Sequence, residues 1–186
     1  MKRHFFFIAV IVSVFVGCAT TTISSDYDRS VDFSKLKTYT WAPEQKPTGD
    51  LRFDDPELRA VIKQSIEADL EEKGFQKKTV GEPDLFVKYY ITVEKKKEPL
   101  GDYYPPIFNS RTGTVDMSMV GVRELADFTY EDGTFVLDML APTTNKILWR
   151  GTLEGMVDPG GTSEKRKTRA PDAVAKVLAK FPPVKK

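Results

Sequence analysis

Between two aromatic-rich, strand-like runs lies a segment that reads as helix from its first residue to its stop, and this arrangement limits the fold. Asp54 or Asp55 can cap it, and Pro56 suits the first helical position, where a backbone N–H is not needed. Leu58, Val61, Ile62, Ile66 and Leu70 form an apolar stripe at helical spacing. Gly74 sits where a helix ends in the left-handed conformation, and Phe75 falls where it can touch Leu70. The spacing predicts a helix over Asp55–Lys73. Before it, Phe33, Tyr39 and Trp41 share one parity and predict a strand over Lys35–Trp41. After it, Leu85, Val87, Tyr89, Ile91 and Val93 alternate with Phe86, Lys88, Tyr90, Thr92 and Glu94, so Asp84–Glu94 reads as a strand with one apolar face. Strand, helix, strand calls for a crossover and a parallel pair.

The remainder is read from turn chemistry. Pro99–Gly113 is expected to be a loop, because Pro105-Pro106 opposes regular structure. Two further β-runs follow, Thr114–Tyr130 with a break near Gly121 and Thr134–Leu140, with Asp132-Gly133 as a tight turn between them. Pro142–Lys146 is a turn, and Ile147–Val157 is the last strand, with Gly151 and Gly155 marking bulges or close backbone approach. Pro159-Gly160-Gly161 leads to a second helix striped by Val174, Val177, Leu178 and Phe181. Pro171 either starts that helix or kinks it, and Pro182-Pro183 stops it. The expected fold is α/β (α+β): a two-layer sandwich of a mixed sheet of about 4–5 strands with two helices on one face, in the order β-α-β-β-β-β-α. Residues 31–186 form a single domain, and the sheet's second face is either solvated or binds a partner.

The N-terminus assigns a compartment. Lys2-Arg3 precede an apolar run from Phe5 to Val16, and Gly17-Cys18 follow, the pattern of an export signal over residues 1–17. A helix of that length spans about 18 Å against a hydrocarbon core of about 30 Å, so it is too short to be a membrane anchor. Phe15-Val16-Gly17-Cys18 resembles the lipobox of bacterial lipoproteins, which implies acylation of Cys18 and its exposure as the new N-terminus. Cys18 is the sole Cys, so no disulfide competes for it. Ala19 in place of Asp implies delivery to the outer membrane rather than retention at the inner one. Residues 18–30 then serve as lipidated Cys and short tether, facing the periplasm.

Composition excludes more than it assigns. The chain has a formal net charge of +1, which lacks the basic footprint of a nucleic-acid binder. Its one His is His4, inside the export signal, so the mature chain has no histidine. A Ser–His–Asp triad, a Cys–His pair and His-ligated zinc are therefore ruled out. Ser34-Lys35-Leu36-Lys37 fits S-x-x-K, but the companion SDN and KTG motifs are missing. Adjacent carboxylates at Asp26/Asp28, Asp54/Asp55 and Glu131/Asp132 could in principle act as acid and base, although a cap, a turn and tether charge explain them as well. The expectation is no enzyme, no catalytic or metal residue and no cofactor. The basic run Lys165-Arg166-Lys167 with Arg169 is either a solvated helix start or a contact for anionic headgroups or cell-wall polymer. Arg150 binds an anion or lies on the open face of an edge strand, and Lys95–Lys97 protect an edge. The aromatic loop is the candidate partner site, through Tyr103, Tyr104, Ile107 and Phe108, unless those side chains fold back over the sheet.

Several blocks resemble one family, the bacterial lipoproteins with domain of unknown function 4136. They are Asp32-Phe33-Ser34, Lys37-Thr38-Tyr39-Thr40-Trp41, Leu70 to Phe75, Pro83 to Val87, Tyr130 to Thr134 with Asp138, Leu148-Trp149-Arg150-Gly151, and Phe181-Pro182-Pro183. The resemblance implies a lipid-anchored α/β domain in the Gram-negative envelope and implies no reaction. The expected role is a non-enzymatic binding or scaffold module at the outer membrane, held by acyl chains on Cys18 and contacting an envelope protein or cell-wall polymer. The alternatives are a small apolar ligand or lipid held between sheet and helices, and a carboxylate-dependent hydrolase of cell-wall glycans.

Overall fold

The computed structural model describes residues 21–43, 48–104, 107–109, 111–116 and 121–183, with the backbone course alone for the strand residues within 98–109 and 114–128. Cys18 and the export signal lie outside the described residues.

The chain runs β1 (Thr22–Tyr27), a 3₁₀ turn (Phe33–Lys35), β2 (Thr38–Trp41), α1 (Pro56–Glu72), β3 (Gln76–Lys77), β4 (Leu85–Tyr104), β5 (Ile107–Asn109), β6 (Thr114–Asp116), β7 (Gly121–Leu140), β8 (Ile147–Met156) and α2 (Ser163–Leu178). Six strands form one mixed sheet in the order β1-β8-β7-β4-β2-β3, and β5 and β6 form a separate hairpin. The expected two-layer α/β architecture is present, with more strands than expected.

Helix α1 follows its sequence signals. Asp55 caps it by accepting from the Glu57 amide. At the other end Gly74 has φ +84, its amide donates to Glu71, and the Phe75 amide donates to Leu70, which is the Schellman pattern. The crossover delivers β4 parallel to β2, with Tyr39 opposite Leu85 and Trp41 opposite Val87. The inward set Leu85, Val87, Tyr89 and Ile91 meets Leu137, Met139 and Trp149 from β7 and β8 and Ile66, Leu70, Val177 and Leu178 from the helices in one core.

Five expectations need correction. Residues 22–27 are not free tether: they are an edge strand, antiparallel to β8 from Thr22 opposite Glu154 to Tyr27 opposite Trp149. Their small polar side chains suit an edge, and the backbone ladder needs no apolar pattern. The first expected strand begins at Thr38, because Asp32 caps a 3₁₀ turn through the Ser34 amide. The expected loop from Pro99 is strand through Tyr104, paired with β7 to Gly121, while Pro105 and Pro106 lie outside the described residues. Asp132-Gly133 is no turn. Gly133 stands mid-ladder between Val93 and Gly155, where a Cβ would meet the Val157 side chain at 2.8 Å. Helix α2 begins at Ser163, capped by Thr162, and carries Pro171 inside it.

The two expected glycine roles separate. At Gly151 a Cβ would lie 2.4 Å from the Trp149 ring and 2.5 Å from Val177, so strand and helix approach there because no side chain intervenes. Gly155 has only ordinary contacts and no bulge.

Candidate functional site

Two concave surfaces flank the sheet, one on each side. The first lies on the face turned away from the helices and has a volume of about 840 Å³. Phe86, Leu140 and Ile147 supply apolar wall, and Lys88, Tyr90 and Arg150 supply polar groups. The register explains the set: Phe86 stands opposite Leu140, Lys88 opposite Asp138, and Asp138 opposite Arg150. Arg150 grips the Asp138 carboxylate with Nε at 2.7 Å and a terminal nitrogen at 2.8 Å. Asp138 is only 3% exposed. Arg150 is thus engaged in structure, and it lies on a strand flanked by β1 and β7, not at an edge.

The second surface is a groove of about 550 Å³ between the helices and the β7/β8 end of the sheet. Leu58, Ile62, Phe135, Leu153 and Val174 line it with hydrocarbon. The basic run at the start of α2 borders it, because that helix crosses the sheet end with Lys165, Arg166 and Arg169 on the groove side. Lys165 pairs with Asp158 at 2.6 Å, which holds the Asp158 carboxyl below the usual carboxylate range. Arg166 places its guanidinium 5.9 Å from the Phe53 ring centre and donates to the Gly161 carbonyl. Its Nε is buried and has no acceptor among the described residues. Lys167 points instead to Glu57 and Glu164, which push its pKa up. The sequence offered a site between sheet and helices only as an alternative and named no residue for it, because its apolar walls come from elements far apart in the chain.

The candidate acid pairs are tied into the scaffold. Asp54 accepts from the Thr48 and Gly49 amides, and Asp55 caps α1 and accepts from the Ser163 hydroxyl. Glu131 pairs with Arg52, and Asp132 pairs with Lys96. Asp28 accepts from Ser30 and pairs with Lys146, which holds its carboxyl far below the ordinary value. Ser34, the serine of the S-x-x-K match, donates its hydroxyl to Asp32 at 2.6 Å. Among the described residues no group of three or more His, Cys, Asp or Glu could hold a metal ion, and no helix is long and apolar enough to cross a membrane.

The expected partner residues lie apart from both concavities in the chain's topology. β8 stops at Met156 opposite Asp132, and β2 pairs with β4 only at 85–87, so from Lys95 onward β4 and β7 form a two-stranded ribbon. Tyr103 and Tyr104 are at its end, opposite Val122 and Gly121, while Ile107 and Phe108 are in the β5/β6 hairpin opposite Asp116 and Val115.

Comparison with known proteins adds a family and a fold. No curated protein matches the chain. A PDZ domain protein from Parabacteroides distasonis superposes with TM-score 0.51 and 16% identity, over 89% of this chain and 37% of that one. The chain therefore spans little more than a third of that protein, and the likeness concerns the fold. A PelC dodecamer subunit from Paraburkholderia phytofirmans gives TM-score 0.45 and 8% identity, over 86% and 96% of the two chains. The profile for Domain of unknown function (DUF4136) matches residues 23–183, from the edge strand β1 to just beyond the second helix, and the chain belongs to that family.

Proposed function

We propose that the protein is a non-enzymatic, lipid-anchored binding module of the Gram-negative outer membrane, facing the periplasm, and that it takes an apolar ligand between sheet and helices. The groove walled by Phe135, Leu153 and Val174 carries this reading. Its size falls within the roughly 300–1,000 Å³ range of small-molecule sites, and such sites are mostly apolar with a few placed polar groups. Anchorage rests on Cys18 behind its apolar leader. The absence of an enzymatic role is supported by the loss of the sole His with that leader and by the engagement of the paired carboxylates in caps and ion pairs.

A thermal-shift screen of the purified protein against lipids and wall glycans tests the binding reading. A ligand at a hundred times its dissociation constant adds about 2.7 kcal/mol. The expected hit is a lipid, and a glycan hit with no lipid hit overturns the reading. Palmitate labelling that survives Cys18→Ala overturns the anchorage.

A second reading keeps one observation of its own: the uncovered cleft over Phe86, Leu140 and Ile147, together with the protruding ribbon, offers surface to an envelope protein or polymer. A photo-crosslinker at Tyr104, with Glu72 on α1 as control, gives a single heavy adduct from Tyr104 alone if that reading is correct.

A further inference from the structure

The apolar groove has an uneven rim. Lys165 is neutralised by Asp158, and Lys176 at the other end by Asp172 at 2.7 Å. Arg166 and Arg169, between them, line the groove and form no close ion pair among the described residues, although Arg166 acts on Asp50 and Arg169 on Asp158 at longer range. The Nε of Arg166 is a buried donor with no acceptor among the described residues. A buried donor left unpaired is costly, and native structures rarely leave one so unless something else completes it. The rim carries four cations, Lys165, Arg166, Arg169 and Lys176, against the two carboxylates Asp158 and Asp172, and this basic edge beside a wall of hydrocarbon is complementary to an anionic amphiphile.

We infer that the groove seats the alkyl chain of an anionic amphiphile, with its carboxylate or phosphate at Arg166 and Arg169. The inference rests on the apolar-ligand reading above and adds the headgroup to it. Arg suits the task because its planar donors meet an oxyanion in two places at once. The chain lies along Leu153, Met156 and Ala170, the apolar lining that keeps exposed surface over the buried Leu58, Phe135 and Val174, and the head stays at the wet rim beside α2. An acyl chain bonded to Cys18 has no free carboxylate to bring to the two guanidinium groups, so the occupant is a free single-chain acid.

The test uses the full chain and a diazirine-tagged lauric acid, with cross-links mapped by mass spectrometry. Labelling is expected on the peptides that carry Phe135, Leu153 or Val174, and it should fall at least ten-fold in Ala173→Trp, which fills the groove. Laurate should compete and dodecanol should not. Arg169→Glu should weaken labelling by about ten-fold or more, the size of a charge-assisted hydrogen bond. Equal competition by dodecanol, with Arg169→Glu unchanged, overturns the headgroup assignment and leaves the apolar-ligand reading standing. Labelling that ignores the Ala173→Trp variant overturns both. Labelling that appears only in Cys18→Ala shows the groove already filled by the protein's own acyl chain and overturns the free-acid inference.

Discussion

The sheet's two faces are built from alternate residues of the same strands, yet they are stabilised by different means. Toward the helices, Leu85, Leu137, Met139 and Trp149 are fully buried, and the contact is hydrocarbon against hydrocarbon. Away from them, the one buried charged group among the described residues, Asp138, is held by Arg150, whose own side chain is 38% exposed. The first face draws its stability from area removed from water, roughly 25 cal/mol for each Å². The second also buries Val136 and Leu140, and to these it adds a directional pair that stabilises little beyond the cost of desolvating it, but which is costly to break on one side only. The comparison teaches that side-chain alternation specifies which face is core, while cross-strand register specifies which polar groups meet on the other.

The largest test of that contrast lies on the helix side. Trp149→Ala should cost about 3–5 kcal/mol, read as a lower midpoint in urea unfolding, since it leaves a cavity that Gly151 and Val177 cannot fill. On the open side, Arg150→Met alone should cost about 1–3 kcal/mol because it strands a buried carboxylate. The pair Asp138→Leu with Arg150→Met should recover most of that loss. If the double variant is as unstable as the single one, the open face depends on more than this pair.

These differences were partly written in the chain. The α1 cap, its stripe and the Gly74-Phe75 ending are local chemistry, so the helix and the β2–β4 crossover could be read directly. The inward set of β4 followed from strict alternation. What stayed hidden depends on partners distant in sequence. Thr22–Tyr27 has no apolar alternation and becomes a strand only because β8 offers a free edge. Asp132-Gly133 carries a strong local turn signal that two flanking ladders override. The groove has no motif, because Leu58, Phe135 and Val174 come together only when the helices dock. The expected partner residues Tyr103 and Tyr104 were visible as aromatics, but their place at the end of a ribbon was not.

Two smaller tests sharpen the comparison at its margins. Asp84 accepts from the Lys37 and Thr38 amides and the Thr38 hydroxyl, and these bonds hold its carboxyl below the ordinary value. A depressed folded-state value means its contribution is fully present above the unfolded carboxylate range, near 3.9, and is lost as pH falls through the folded value. Asp84→Asn should therefore cost about 1 kcal/mol at neutral pH and flatten the acid limb of a stability-against-pH curve. An unchanged acid limb removes Asp84 from the account. Gly133→Ala should cost less than about 1 kcal/mol, since the Val157 side chain can shift aside, and Gly151→Ala should cost more, because the Trp149 ring cannot. Equal shifts in melting temperature for the two would show that the helix-side contact is softer than its distances imply.

The edge strand β1 also has a mechanical consequence. A pull on the chain from before Thr22 is received by β1, which forms six residue pairs with β8 and is closed at the far end by the Asp28 amide on the Leu148 carbonyl at 2.9 Å. A load normal to the strand axis peels the ladder from the Thr22–Glu154 end, whereas a load along it acts in shear across the whole ladder. A force shared in this way passes from β1 to β8 and so to Trp149, opposite Tyr27 in the register.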